Sequence, residues 1–283
     1  MLQWLVVRPA AIAVLLTVAL AGCGSSAPPQ ITVGAAKTYH LAGFSPAQFT
    51  AGTPTPLSFR IDTPSGAALT RYRTGSGPHT GVHLIIVRSD LGAIIHKHPK
   101  PTPEGAFSEE VTFPTPGRYR VVIDAYPQLS GPLRNFQLFR WITVPGQAPH
   151  LALPPFQATQ TVDGYRFQMR GRPALHAIQA AFLTLRVTRP DGSPAKFTPW
   201  FGALAHAIFF RAGTLDYFHT HICAPGASGC VSVLGNTRVT GSQTRPGQLR
   251  VGVLLPVGGT WRLFLQCKVD GHVLTAPFTL KVA

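Results

Sequence analysis

The chain has 283 residues and a mean hydropathy of +0.16, which excludes a protein built mainly of membrane-spanning segments. Only 12% of the residues are charged, whereas Gly (28) and Pro (27) are frequent, so long helices are not expected. Lysine and arginine (25) outnumber acidic residues (10) without a basic cluster interleaved with aromatic residues, which favours anionic lipid headgroups over nucleic acid as partners and leaves few carboxylates for acid–base catalysis.

Residues 1–22 have the layout of an export signal. One basic residue, Arg8, precedes an apolar run that ends at Leu20, and this run is shorter than the roughly 20 residues that a spanning helix needs. The run leads into Leu20-Ala21-Gly22-Cys23, which resembles the bacterial lipobox. That resemblance implies lipidation of Cys23 and anchorage to membrane lipid. Residues 23–30 then form the lipidated cysteine and a flexible tether, and the remaining chain is expected outside the cytoplasm.

An internal repeat organises the rest of the chain. In each copy, a histidine is followed 13 residues later by a His-x-His pair: His83 precedes His96, and His206 precedes His219. A later strand in each copy carries the pattern Gly-x-aromatic-Arg. Two insertions interrupt the match, GSGPHTG before His83 and a cysteine-containing loop after His221.

Each copy contains about seven short segments rich in Val, Leu, Phe and Thr, separated by turn sequences such as TPSG and RPDG. We therefore predict an all-β chain of two tandem β-sandwich domains, immunoglobulin-like or cupredoxin-like, with β-barrels as the alternative. The domains are expected at residues 31–145 and 156–283, and the Pro-rich stretch 146–155 is expected to link them.

The histidines of the first copy lie in a predicted β-hairpin. If Asp90 and Leu91 form its two-residue loop, facing residues have numbers that sum to 181, which places His83 opposite His98 and Ile85 opposite His96. Facing residues, and alternate residues along one strand, point to the same face. All three imidazoles would then share one face.

The same arithmetic in the second copy places the turn at Gly213-Thr214 and His206 opposite His221, with His219 on the same face. Three converging neutral imidazoles form a site for Cu(II), Zn(II) or Ni(II). The predicted metal ligands are therefore His83, His96, His98, His206, His219 and His221. The alternative is that these histidines hydrogen-bond carbonyl groups and brace the hairpins.

The remaining cysteines and histidines leave several assignments open. Cys223 continues the alternation after His221 and would add a sulfur ligand, or it forms a disulfide with Cys230 across a short Gly/Pro loop. His79 is either a further ligand or a loop residue. The other histidines are expected at the surface or in turns: His40, His150, His176 and His272.

At these residues the chain resembles a largely uncharacterised family of exported bacterial proteins. The shared pattern is His83, a hydrophobic run, Asp90-Leu91, His96-Lys97-His98-Pro99 and then Gly117-Arg118-Tyr119-Arg120. The second copy is similar over Asp216 to His221 and over Leu263-Phe264-Leu265-Gln266, and it departs at Ile222-Cys223. The resemblance implies heavy-metal handling, especially of copper, and domains similar to small periplasmic copper-binding sandwiches.

The expected function is therefore that of a membrane-anchored, extracytoplasmic lipoprotein that binds copper, or alternatively zinc, and buffers it or passes it to a partner protein. A structural or interaction module with hydrogen-bonded histidines is the alternative. An enzyme, either a metal-dependent oxidase or a hydrolase, is not expected, because nucleophile, His-Glu-x-x-His and phosphate-loop motifs are missing from the sequence. The candidate general bases near the histidines are Asp90 and Asp216 only.

Overall fold

The computed structural model describes residues 39–129, 135–228, 230, 233–234 and 237–283. These residues form β-strands, turns and loops, and none of their segments is a helix that could cross a membrane. The predicted signal segment 1–22, Cys23 and the tether to residue 30 lie outside the described residues.

The first seven strands pair into two antiparallel sheets that pack face to face. One sheet has the order β1-β2-β5, and the other has the order β4-β3-β6-β7. Aromatic and branched side chains from both sheets, such as Phe59, Phe107 and Tyr119, fill the space between them. The strands are β1 (His40–Ser45), β2 (Thr55–Asp62), β3 (Val82–Arg88), β4 (Ile94–Lys97), β5 (Ala106–Val111), β6 (Gly117–Ala125) and β7 (Phe136–Val144).

The remaining strands form a second sandwich. One sheet has the order β16-β17-β10-β9-β8, the other has the order β11-β18-β12-β13 with β19 also paired to β18, and β14 pairs with β15. Trp261, Phe167 and Phe278 lie in the core between the two large sheets. The strands are β8 (Thr159–Val162), β9 (Tyr165–Met169), β10 (Ala181–Thr188), β11 (Phe197–Thr198), β12 (Ala203–Arg211), β13 (Tyr217–Cys223), β14 (Val233–Leu234), β15 (Thr237–Arg238), β16 (Ser242–Arg245), β17 (Gln248–Val253), β18 (Gly259–Val269) and β19 (His272–Val282).

The predicted pair of β-sandwich domains is therefore confirmed. No named strand lies between the end of β7 at Val144 and the start of β8 at Thr159. Part of this connection is held against the first hairpin, because the amide of Leu151 donates to the Asp90 carboxylate at 2.8 Å and Arg88 donates to the Pro149 carbonyl at 2.8 Å. Asp90 thus lies in the turn and also binds the linker.

The two sandwiches pack against each other through the outer faces of two sheets, the one that contains β3 in the first domain and the one that contains β12 in the second. A third apolar cluster joins them, and its central members are Ile85 and Val122 from the first domain and Ile208 and Phe264 from the second. Strands β3 and β12 are therefore buried on both faces, which explains their nearly unbroken apolar runs, LIIV and AIFF.

Both predicted hairpin registers are confirmed. Ile85 pairs with His96 in the first hairpin, and His206 pairs with His221 in the second. Each loop has four residues instead of the two expected, because Arg88 bonds to Ala93 and Arg211 bonds to Asp216 to close the ladders. An even change in loop length leaves every side chain on its predicted face.

Each hairpin turn contains a leucine with left-handed backbone geometry. Leu91 has φ 63° and Leu215 has φ 57°, a conformation that costs a non-glycine residue about 1–2 kcal/mol. Both side chains are buried in the cluster between the domains, at 1% and 2% exposure. Burial of a leucine gives a comparable stabilisation, about 1.5–3 kcal/mol, so domain packing offsets the strain in both turns.

Candidate metal centre between the domains

The packing of the two hairpins brings seven histidines into one group, which we call the histidine cluster. The first domain contributes four of them and the second contributes three: His79, His83, His96 and His98, and His206, His219 and His221. His83, His206 and His221 are completely buried, and His96 is 6% exposed. The cluster lies at the open ends of the hairpins, whereas Asp90 and Asp216 lie at the turn ends.

Three triads in the cluster place one ring nitrogen from each member within 4.8 Å of the others. One triad is the predicted set His83, His96 and His98. The second predicted set is split between two mixed triads, His83 with His219 and His221, and His96 with His206 and His219. The sequence left open whether the two triplets are independent sites. The structure brings them together, because the two hairpin faces pack against each other.

Main-chain carbonyls fix the orientation of the two central imidazoles. His83 Nε2 lies 2.7 Å from the Pro78 carbonyl oxygen, and His206 Nε2 lies 3.0 Å from the Trp200 carbonyl oxygen. Because a carbonyl only accepts, each Nε2 carries the proton and each Nδ1 presents a lone pair to the cluster. The same arrangement occurs in both copies of the repeat.

His219 lies between these two lone pairs. Its Nδ1 is 3.4 Å from His83 Nδ1, and its Nε2 is 3.4 Å from His206 Nδ1. A neutral imidazole has one N–H, so His219 can donate to one neighbour and must present its own lone pair to the other. This group of three imidazoles therefore lacks one hydrogen-bond donor.

His96 is held from the opposite domain. Its Nδ1 lies 2.9 Å from Oε1 of Gln266, whose Nε2 donates to the Thr275 hydroxyl at 3.0 Å. His96 Nε2 is then a lone pair, and it lies 3.0 Å from His98 Nε2. The His98 ring stacks on Phe201 with a centroid distance of 3.9 Å, so an aromatic side chain of the second domain covers the cluster on this side.

His79 completes the cluster on its other side. Its Nε2 lies 3.2 Å from His221 Nδ1, and its ring stacks on Tyr126. His221 Nε2 is buried without a hydrogen-bond partner. An unsatisfied buried nitrogen costs about 1–3 kcal/mol, so a partner at this atom would stabilise the folded protein.

The six predicted ligands are uncharged in the folded protein at neutral pH. Burial lowers the pKa of His83 and His206 to about 3. Burial also holds the pKa of the other four predicted ligands well below the ordinary value, and neighbouring imidazoles lower it further: His96, His98, His219 and His221. Neutral imidazole is the form of histidine that binds metal ions.

Two buried polar residues occupy matched positions beside the cluster. Asp124 pairs across the strands with His83, and Gln266 pairs with His206. Burial raises the pKa of Asp124, but its carboxylate accepts hydrogen bonds from Asn135, Gln137 and Tyr217, which favour the charged form. Sequence reasoning did not assign a role to either residue. Each lies seven positions after the repeated glycine and directly follows a run of three apolar residues, and this shared offset was the available signal.

The two insertions that interrupt the repeat meet beside the cluster. Ser76 accepts a hydrogen bond from the amide of Ser228 at 3.2 Å, and Gly77 packs so closely that a Cβ there would lie 1.8 Å from the Ser228 carbonyl oxygen. The first insertion also supplies the Pro78 carbonyl and His79. The second carries a disulfide between Cys223 and Cys230, so the Cys223 sulfur is not a ligand.

The remaining candidates lie away from the cluster. Cys267 is a free thiol in the core of the second domain, where burial raises its pKa to about 12. The four other histidines have exposed side chains: His40, His150, His176 and His272.

Comparisons with known proteins identify a family. Two segments of the chain, residues 36–137 and 160–283, match a family described as a domain of unknown function (DUF8832). No curated protein matches the chain.

Solved structures similar to the chain include invasin, a bacterial integrin-binding protein (15% identity, 87% of this chain and 38% of that chain, TM-score 0.24). A Salmonella alpha-2-macroglobulin mutant (12%, 87% and 14%, 0.26) and a putative membrane anchored protein from Corynebacterium diphtheriae (9%, 86% and 57%, 0.25) are also similar. The chain spans less than two thirds of the length of each of these, and likeness at this level carries no functional argument. Since the two matched segments cover most of its length, the chain belongs to the DUF8832 family.

Proposed function

We propose that this protein is a membrane-anchored extracytoplasmic lipoprotein that binds a transition-metal ion, copper in preference to zinc, in the histidine cluster between its domains. The observation that carries the proposal is the missing donor around His219. His219 faces one ring nitrogen of His83 and one of His206, each at 3.4 Å, with a single proton for the two contacts, and His221 Nε2 has no partner. A cation between His219 and either of these neighbours would accept a lone pair from both rings, and His219 would then donate its one proton to the other neighbour.

The spacing suits coordination better than hydrogen bonding. Two nitrogens bound tetrahedrally at about 2.0–2.1 Å from one ion lie about 3.3 Å apart. The His83–His219 and His206–His219 nitrogen distances are both 3.4 Å. They are longer than the donor–acceptor distance of about 2.9–3.0 Å that is usual for an N–H hydrogen bond. Small ring rotations would therefore bring either of these pairs of nitrogens onto an ion.

The ligand sharing supports one ion per chain. Each pair of triads has one histidine in common: His83, His96 or His219. His83 and His96 each have their second nitrogen bound to Pro78 and Gln266, so each offers one nitrogen only. His219 would have to lose its one N–H proton to bridge two ions. A single ion held jointly by both domains avoids this.

The chemistry of the donor set favours copper(II), with zinc(II) next. Imidazole suits both ions, and copper(II) binds more tightly than zinc(II) to a given nitrogen site. Among the described residues, the cluster contains no thiolate or thioether that would select copper(I), because Cys223 is in a disulfide and Met169 lies in the core of the second domain. The buried Asp124 carboxylate supplies negative charge next to the site.

Metal content of the mature chain tests the proposal. The protein from Gly24 onward, without Cys23, is exposed equally to copper and zinc and compared with two triple variants, His83/His96/His98→Ala and His206/His219/His221→Ala. We expect one ion per chain in the unsubstituted protein and none in either variant. A variant with the exposed His150, His176 and His272 replaced by Ala serves as the control and keeps its ion.

Other outcomes of this experiment are equally informative. Two ions lost one triplet at a time would show two separate sites and contradict the shared one. An unsubstituted protein that binds no ion would overturn the proposal.

The membrane anchor has its own test. The Cys23→Ser variant should move from the membrane fraction to the soluble fraction, because it has no residue to acylate. Retention in the membrane would contradict anchorage at Cys23. Within the proposal, the protein buffers the ion or passes it to a second extracytoplasmic protein, and no catalytic activity is assigned to it.

One observation favours a structural role as the second candidate. The carbonyl hydrogen bonds of His83 and His206 tie each hairpin to a neighbouring loop and would stabilise the domains without metal. Under this alternative, the melting temperature stays constant when copper is added. Binding to the folded state alone raises it with copper concentration.

A further inference from the structure

Gln266 reaches the histidine cluster from the opposite domain. It lies on β18 of the second sandwich, is 4% exposed, and places its Oε1 2.9 Å from Nδ1 of His96, a residue of the first sandwich. The Thr275 hydroxyl, on the neighbouring β19, accepts the bond from the Gln266 amide nitrogen at 3.0 Å. The amide is therefore fixed at one end by its own domain and faces His96 with the other.

The consequence for His96 is a defined tautomer. An amide oxygen can only accept, so the proton lies on His96 Nδ1 and the lone pair lies on Nε2. Nε2 is the nitrogen on the side of His98, 3.0 Å away. Without this acceptor, the proton could move to Nε2 and block coordination, and the ring would be free to rotate.

Gln266 differs from the other groups that orient the cluster. His83 and His206 are oriented by main-chain carbonyls of Pro78 and Trp200, which no substitution of those residues removes. His96 depends on a side chain. Its orientation is therefore sensitive to a single substitution in a residue that does not itself bind metal.

We propose that Gln266 is a positioning residue of the metal centre, which holds His96 with Nε2 directed at the ion. This inference rests on the proposed function. Residues that hydrogen-bond to a metal-bound imidazole typically raise the metal affinity by about 10- to 100-fold. Because His96 belongs to two of the three triads, loss of its orientation weakens the site whichever of these two holds the ion.

Three substitutions separate the roles of this side chain. Gln266→Leu has a similar size and no acceptor, Gln266→Asn keeps the amide but withdraws it by one methylene, and Gln266→Glu keeps an acceptor at the original reach. The control is Thr279→Val, which removes the Arg262–Thr279 hydrogen bond (2.7 Å) between the same two strands. Arg262 and Gln266 point to the same face of β18, so the control removes an equivalent bond away from the histidines.

The measurements are the Kd for copper and zinc by competition with a chelator, the copper(II) EPR spectrum, and the free energy of unfolding without metal. We expect the Leu and Asn variants to bind about 10- to 100-fold more weakly with an altered spectrum. The Glu variant should bind at least as tightly as the unsubstituted protein. Thr279→Val should lose stability but keep its Kd and spectrum.

The outcomes distinguish this inference from the proposed function. An unsubstituted protein that binds no ion overturns both. A protein that binds normally, and whose Leu and Asn variants keep the same Kd and spectrum, overturns the role of Gln266 alone. If the Leu variant does not fold, the Asn and Glu variants still give the comparison, since both retain a polar group at this position.

Discussion

Acidification of the metal-free protein should destabilise it strongly between pH 7 and pH 5. His83 and His206 are buried as neutral rings, with the pKa of each lowered to about 3. In the unfolded chain, the same side chains have a pKa of about 6.5. The unfolded state therefore binds protons over a pH range in which the folded state binds none, and stability falls as the pH falls below about 6.5.

The size of the effect follows from the two pKa values. Each of these histidines removes about 2 kcal/mol of stability between pH 7 and pH 5, so the pair removes about 4 kcal/mol. The pKa shifts of His96, His98, His219 and His221 have the same direction and add to the loss. The raised pKa of Asp124 acts in the opposite sense, because it favours protonation of the folded state.

Urea unfolding, followed by tryptophan fluorescence at pH 7, 6 and 5, measures this loss directly. The variant with His176 and His272 replaced by Ala should lose as much stability as the unsubstituted chain, because these side chains are exposed. A free energy of unfolding that stays constant from pH 7 to pH 5 would refute the reasoning. It would mean that water hydrates the cluster and that the histidines titrate normally in the folded protein.

Three further substitutions test the packing around the cluster. Ile85→Ala should lower the free energy of unfolding by about 2–5 kcal/mol in urea titrations, since Ile85 is 0% exposed between the domains. A loss of less than about 1 kcal/mol would argue against that packing. Gly77→Ala should lower the melting temperature because its Cβ would lie 1.8 Å from the Ser228 carbonyl oxygen, and an unchanged value would show that the two insertions do not touch. The double variant Cys223/Cys230→Ser should lose about 2–3 kcal/mol, the value for so short a loop, and equal stability in reducing and oxidising buffer would contradict the disulfide.

The sequence was sufficient to predict the hairpins. The residues that face each other followed from the strand alternation, the turn residues and the centre of each turn. The predicted loop length was wrong, but the register stayed correct because the loop length differs by an even number. The sandwich fold followed from the short apolar segments and their turns. These signals are local, and each is complete within one copy of the repeat.

The sequence could not predict that the two domains build one histidine cluster together. Contacts between His83 and His219, or between His96 and Gln266, join residues 136 and 170 positions apart, and no spacing rule relates them. The unbroken apolar runs of β3 and β12 did contain a signal. A strand buried on both faces needs a second covering layer, which here is the other domain.

Packing of two repeated hairpins face to face has the form of an isologous dimer interface, in which each contact would occur twice. Here both halves belong to one chain, so matched positions are free to differ. Asp124 stands opposite His83, and Gln266 stands opposite His206. A homodimer of either copy would surround its histidines with two carboxylates or with two amides. Covalent duplication instead gives the histidine cluster one of each, a single carboxylate and a single orienting amide.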